Sequence, residues 1–147
     1  MTPDVNILVA ASRSDHAHYM VAHEWLGDAL LQAQTGRPLR LLPTVISGFL
    51  RLVTNRKVFK QPTPTDDAIA FIDAMLAMPG VDLAASGAEW PVLRVLCLEK
   101  NLIANAIPDA WIAAAVVQLG DHLVTFDKDF KKLLTRSQVT LLAGQSA

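Results

Sequence analysis

The chain has 147 residues, 52% of them hydrophobic and 18% charged, with a net charge of -1 at pH 7. That length suits one domain over 1–147, and so apolar a composition excludes a disordered chain. The near-neutral balance excludes a uniformly basic nucleic-acid binder, and the single cysteine, Cys97, excludes an internal disulfide framework.

In chain order, Val5–Ala11 is a short β-branched apolar run that reads as a buried first strand. Ala17–Gln34 carries apolar residues at helical spacing and stops at Gly36-Arg37-Pro38. Leu39–Leu42 reads as a second strand, Thr44–Val53 as a helix, and Asn55–Pro64 as a polar connection. Thr65 is placed to cap a helix running to about Ala77, with Asp66 and Asp67 answering its dipole. A strand is expected at Val81–Ala84, a helix at Glu89–Asn101, a loop at Ile103–Pro108 and an apolar helix at Asp109–Leu119. The strand His122–Thr125, a short helix Asp127–Leu134 and a last strand Val139–Leu142 complete the chain. Asp4 comes early and no Lys or Arg precedes the short apolar stretch Ile7–Ala11, so no signal peptide is expected. Trp111–Leu119 is too short to span a membrane. A cytoplasmic protein without a membrane partner is the expectation.

Strands alternating with helices imply a mostly parallel sheet covered on both faces, with ligands bound beyond the carboxyl ends of its strands. That rule groups Asp109, Asp127 and Asp129. Asp4 lies at the wrong end of its own strand unless that strand starts at Thr2. Converged carboxylates repel unless a cation neutralises them, and an all-oxygen set suits Mg2+ or Mn2+. A phosphodiester is the natural substrate for such a site. Each acid also has a plain structural use: Asp109 suits a helix first turn, and Asp127 suits a cap.

Four stretches, in order along nearly the whole chain, resemble the PIN-domain ribonucleases, specifically the VapC-type toxins of toxin–antitoxin pairs. Asp4-Val5-Asn6 looks like the family's opening Asp-x-Asn. Gly48-Phe49-Leu50-Arg51 is similar to its Gly-Phe-x-Arg segment. Asp109-Ala110-Trp111-Ile112-Ala113-Ala114 looks like its Asp-Ala helix start, and Thr125-Phe126-Asp127-Lys128-Asp129-Phe130 matches its closing Thr-x-Asp-x-Asp-Phe. The resemblance implies a three-layer α/β/α fold and a metal-dependent endoribonuclease acting as the toxin of such a pair. It brings Asp4 into the site. Asp4, Asp109 and Asp127 would bind the metal with Asp129 adjacent, Thr125 would steady them, and Asn6 would brace the end of the first strand. It also implies an antitoxin partner and a homodimer.

One position departs from the pattern. Ile46 stands where the family's second helix usually carries a Glu, with Ser47 or Thr44 as possible helpers and Glu24 and Glu99 as unsupported substitutes. The departure leaves a second reading open, a weakly active or inactive PIN-like module that binds RNA or protein. On the substrate side, Arg51, Arg56, Lys57 and Lys60 form an acid-free run, and Lys128, Lys131, Lys132 and Arg136 follow the acidic loop. A basic rim beside a metal-filled pocket would attract RNA; a solvated polar surface is the plainer reading. His16, His18 and His23 lack a helical ligand spacing and read as surface or capping residues. Ser12 reads as a loop residue beyond the first strand, and Cys97 as a buried thiol. Trp25, Trp90 and Trp111 read as core or interface residues.

Overall fold

The computed structural model describes residues 1–144. The elements are β1 (Thr2–Pro3), α1 (Val5–Ser12), α2 (Tyr19–Ala33), β2 (Leu39–Leu41), α3 (Pro43–Val53), α4 (Thr65–Leu76), β3 (Val81–Leu83), α5 (Trp90–Lys100), α6 (Ala106–Gln118), β4 (Leu123–Thr125) and β5 (Val139–Leu141). Two 3-10 turns, Lys128–Lys132 and Arg136–Gln138, lie between β4 and β5.

The largest correction is at the start. Val5–Ala11 is helix, not strand, and the first strand is Thr2–Pro3 alone. Ile7, Leu8, Val9, Ala10 and Ala11 are all buried, so the run shows no polar face by which periodicity could tell a helix from a strand. Local chemistry decides it. The Asp4 carboxylate accepts the Val5 N–H at 2.7 Å, which caps the helix at its first turn. Ser12 is consequently the last helical residue, its hydroxyl donating to the Val9 carbonyl, and not a loop residue.

Smaller corrections follow the same logic. The expected loop Ile103–Pro108 is helical from Ala106, because Pro108 falls in the first turn, where its missing N–H is no loss. Thr65 is the first residue of α4 and supplies no side-chain cap. Asp127–Leu134 is a 3-10 turn over Lys128–Lys132, capped by Asp127.

All strand pairings are parallel. β4 lies between β1 and β5, and β2 pairs with β3. Met1 joins the two ladders, its carbonyl accepting the Arg40 N–H at 2.8 Å and its terminal ammonium donating to the Pro38 carbonyl at 2.8 Å, giving the spatial order β3-β2-β1-β4-β5. Helices cover both faces, so the fold is the three-layer α/β/α sandwich. The strands are buried apolar runs, with Leu39, Leu41 and Leu123 wholly inside, as sheets covered on two sides require. No helix among the described residues is long and apolar enough to cross a membrane.

Two packing details set the frame of the site. Gly48 on α3 lets α1 approach so closely that a Cβ there would stand 2.8 Å from a Val5 methyl. The Asn55–Pro64 connection is tied down by Arg13, which is buried. Its guanidinium bonds Asp15, the Thr63 hydroxyl and the Gln61 carbonyl, and lies over the Phe59 ring. At the far edge, Asp121 takes the chain's terminal ammonium at 2.8 Å and Arg40 at 3.1 Å; despite its burial, the ammonium, the His122 N–H and the Thr2 hydroxyl hold its carboxyl below the usual range.

Candidate active site

Shortening the first strand to Thr2–Pro3 places Asp4 at its carboxyl end, where the parallel sheet gathers its ligand side. The Asp4 N–H donates to the Val124 carbonyl at 2.9 Å, fixing the residue beside the end of β4. The last residue of that strand, Thr125, is wholly buried and acts as a hub. Its hydroxyl donates its only hydrogen to Asp4 Oδ2 at 2.6 Å and accepts from Asn6 Nδ2 at 3.2 Å and from the Asp127 N–H at 2.9 Å. Asn6 Oδ1 in turn accepts the Phe126 N–H at 3.3 Å. Two stretches far apart in sequence, Asp4–Asn6 and Thr125–Asp127, are thereby locked to one oxygen atom. Asn6 lies in the first turn of α1 rather than at a strand end.

Asp4, Asp109 and Asp127 line one cavity of about 450 Å3, with Asn6, Thr44, Gly48, Arg51 and Trp111 among its other walls. Asp109 enters from the first turn of α6, Asp4 from the cap of α1, and Asp127 from the loop after β4. Their charges are coupled. Burial first, then the charges of Asp4, Asp127 and Asp129, pushes the Asp109 carboxyl up to about 6. Burial also raises Asp4; the Thr125 hydroxyl and Val5 N–H pull it back, and the Asp127 charge adds to the rise. Among the described residues no three His, Cys, Asp or Glu side chains are close enough to enclose an ion by themselves. The three acids share the walls of one open cavity. Such a donor set fits a hard cation that keeps part of its water shell, as Mg2+ does.

Asp129 takes a different place. It is exposed, pairs with Lys132 at 3.5 Å, and lines a separate depression with Lys100, Asn105 and the other side of Asp109. Arg51 lines the acidic cavity from α3, whereas Arg56 and Lys57 lie on the turn beyond that helix and outside its walls. Ile46 does not line the cavity; it packs against the core, and the α3 positions that reach the cavity are Thr44, Gly48, Arg51 and Leu52. Of the two helpers considered for the missing acid, Thr44 is therefore on the wall and Ser47 is not.

Among the described residues the histidines join no metal-holding group, although the His16 and His18 rings lie 5.7 Å apart and His16 Nδ1 accepts the His18 N–H at 3.0 Å. His18 stacks on Phe126 at 4.9 Å between ring centres, its Nδ1 without a partner among the described residues, and His23 stacks on Tyr19 at 4.9 Å. Cys97 is half-buried against the contact of α5 with α6.

One residue that holds the cavity wall escaped sequence reasoning. Glu89, only 3% exposed, accepts the Trp111 indole N–H at 2.7 Å and the Gly87 N–H at 2.8 Å. Burial alone would raise its carboxyl, but these bonds outweigh it and hold the group below its ordinary value. Nothing in the spacing of Glu89 signalled this role, because Trp111 is 22 residues away.

A family model described as PIN domain matches residues 1–134. The chain belongs to the PIN-domain family. Among its PIN-domain relatives, Ribonuclease VapC25 of Mycobacterium tuberculosis (strain ATCC 25618 / H37Rv) is 38% identical over 130 residues, covering 88% of this chain and 89% of that one. Ribonuclease VapC43 of the same strain is 36% identical over 133 residues, covering 88% and 86%. The PIN fold also matches solved structures. VapBC2 from Rickettsia felis, bound to a DNA fragment from their promoter, superposes with a TM-score of 0.62 at 17% identity over 95% of this chain and 96% of that one. Mycobacterium tuberculosis VapC20, described as a Sarcin-Ricin loop cleaving toxin, gives 0.61 at 14% identity over 89% and 92%. At such identities these two bear on the fold alone.

Proposed function

We propose that this PIN domain is a metal-dependent endoribonuclease and the toxin of a toxin–antitoxin pair, acting on RNA in the cytoplasm. The observation that carries the reading is the meeting of Asp4, Asp109 and Asp127 on one cavity, with Asp109 pushed up to about 6 by burial first and then by its neighbours' charge. Repulsion of that kind is costly to maintain and is relieved by a cation. The relatives' names as VapC ribonucleases support the same chemistry.

Asp4, Asp109 and Asp127 would hold Mg2+ or Mn2+. Bound there, a divalent ion supplies water activation and charge neutralisation at the phosphorus. The chain does the positioning. The Thr125 hydroxyl and Val5 N–H orient the two Asp4 oxygens, and the Asp127 backbone is fixed to the same hydroxyl. Arg51 presents a cation on the cavity wall to meet a phosphate, and Arg56 and Lys57 extend positive charge beyond it. Asp129 is assigned a supporting electrostatic role, since its charge acts on Asp109 from outside the cavity. A small antitoxin protein and a second copy of this chain complete the assembly we expect, and exposed Trp90, Leu98 and Ile103 offer apolar surface for such contacts.

Purified protein incubated with total RNA, with and without Mn2+, tests the reading. Cleavage is expected with the ion, and none in chelator or in Asp109→Asn. Full activity of that folded variant would refute the assignment. RNA binding with no cleavage at any Mg2+ or Mn2+ concentration would favour the non-catalytic module that Ile46 left open.

A further inference from the structure

We propose that Trp111 is the base-stacking platform of the substrate cleft, its indole clamped through Nε1 to the buried carboxylate of Glu89 so that the exposed part of the ring receives one base of single-stranded RNA. The proposal rests on the ribonuclease reading and adds to it the residue that grips the nucleobase.

Trp111 lines the same cavity as Asp4, Asp109 and Asp127, and it contributes the one aromatic ring to those walls among the described residues. It is 38% exposed. The ring is fixed rather than free. Its N–H donates to Glu89 Oε1 at 2.7 Å, while Glu89 Oε2 accepts the Gly87 N–H at 2.8 Å. A small gap of about 10 Å3 next to the ring is lined also by Glu89, Pro43, Ala85 and Ala115. A buried carboxylate is an expensive partner for one indole N–H, which a backbone carbonyl would satisfy equally well. The cost is explained if the ring must keep one orientation before substrate arrives, since the rotamer entropy is then lost on folding and not on binding.

The neighbouring chemistry fits a base. Val5, Leu52, Ile107 and Ile112 line the cavity beside the ring, while Arg51 and the three acids mark where a phosphate and its counter-ion belong. Aromatic rings hold bases of single strands through their π faces, with little regard to sequence. The apolar side chains most open to a protein partner, Leu98 and Ile103, lie outside this cavity.

The test uses Asp109→Asn protein without metal and a labelled eight-nucleotide single-stranded RNA, read by fluorescence anisotropy. Trp111→Ala and Trp111→Leu are each expected to weaken binding about ten-fold or more, and Trp111→Phe by much less. Trp90→Ala, an exposed tryptophan outside the cavity, should leave binding as it was. Replacing the bases one at a time with abasic nucleotides should cost a similar factor at one position in the parent, and nothing at that position in Trp111→Leu. Glu89→Ala should weaken binding several-fold, with no further loss when combined with Trp111→Leu; Glu89→Gln, which still offers an oxygen to the indole, should restore most of it. Unchanged binding by folded Trp111→Leu would overturn the proposal and leave the ribonuclease reading standing. RNA that fails to bind the parent at all would sink that reading, and the platform with it. Loss of self-association or of antitoxin binding, with RNA affinity intact, would reassign the ring to a protein contact.

Discussion

At the scale of single residues, the site depends on a hydroxyl. Thr125→Val keeps the shape of the side chain but leaves the Asp4 carboxylate, the Asn6 amide and the Asp127 N–H each short of a partner. A destabilisation of about 2–3 kcal/mol is expected in thermal or urea unfolding, because buried polar groups are left unsatisfied; Thr125→Ser should recover most of it. Asp109 makes the opposite kind of contribution. Its folded-state value of about 6 lies above the ordinary 3.8, so the folded protein binds a proton that the unfolded chain has already released. The metal-free protein therefore loses stability as pH rises from about 4 through 6, by an amount on the order of 1 kcal/mol once solvent screening of this half-buried group is allowed for. Melting temperatures in chelator should show Asp109→Asn gaining on the parent above pH 6. Parallel pH profiles for the two proteins would count against the coupling of these acids.

At the scale of elements, the cavity exists because α1 and α3 nearly touch. Gly48→Ala brings a methyl to 2.8 Å from Val5 Cγ2, and Val5 is β-branched and stiff at χ1. Overpacking of about 1–3 kcal/mol is expected, together with reduced cleavage, since Val5 and Gly48 both line the cavity. Val5→Ala in the same chain should relieve most of the loss, a non-additivity that a double-mutant cycle would measure. The first helix teaches a related lesson. The sequence Val5–Ala11 is apolar throughout, so it reads as strand or buried helix alike. Only the two-residue pairing of Thr2 and Pro3 with β4, ended by the Asp4 cap, settles the choice. The later helices were legible because each shows the chain a polar side or a stop signal: α2 ends before Gly36, and α4 opens on Asp66 and Asp67.

At the scale of the whole molecule, a net charge of -1 coexists with a cationic stretch from Arg51 to Lys60. RNA binding should accordingly weaken as salt is raised, and Arg51→Ala should both lower affinity and flatten the slope of log affinity against log salt by nearly one unit. An unchanged slope would remove Arg51 from the phosphate path. The same stretch is carried on a connection that Arg13 ties to the end of α1 through Thr63 and Gln61.

The alternation of strands and helices, and the order of the four acid-bearing motifs, could be read along the chain, because periodicity and caps are local properties. The sequence also carried the family likeness that grouped Asp4 with Asp109 and Asp127. What only the tertiary structure decided is how these groups meet: that Thr125 joins Asp4, Asn6 and Asp127 through one hydroxyl, that Asp129 stands outside the cavity, that Thr44 rather than Ile46 reaches its wall, and that Glu89 holds Trp111. The physical reason is separation. Hydrogen bonds and charge coupling act over a few ångströms in space, whereas Glu89 and Trp111 lie 22 positions apart in the chain and Asp4 and Thr125 lie 121 apart, and only the closing of the sheet brings them together.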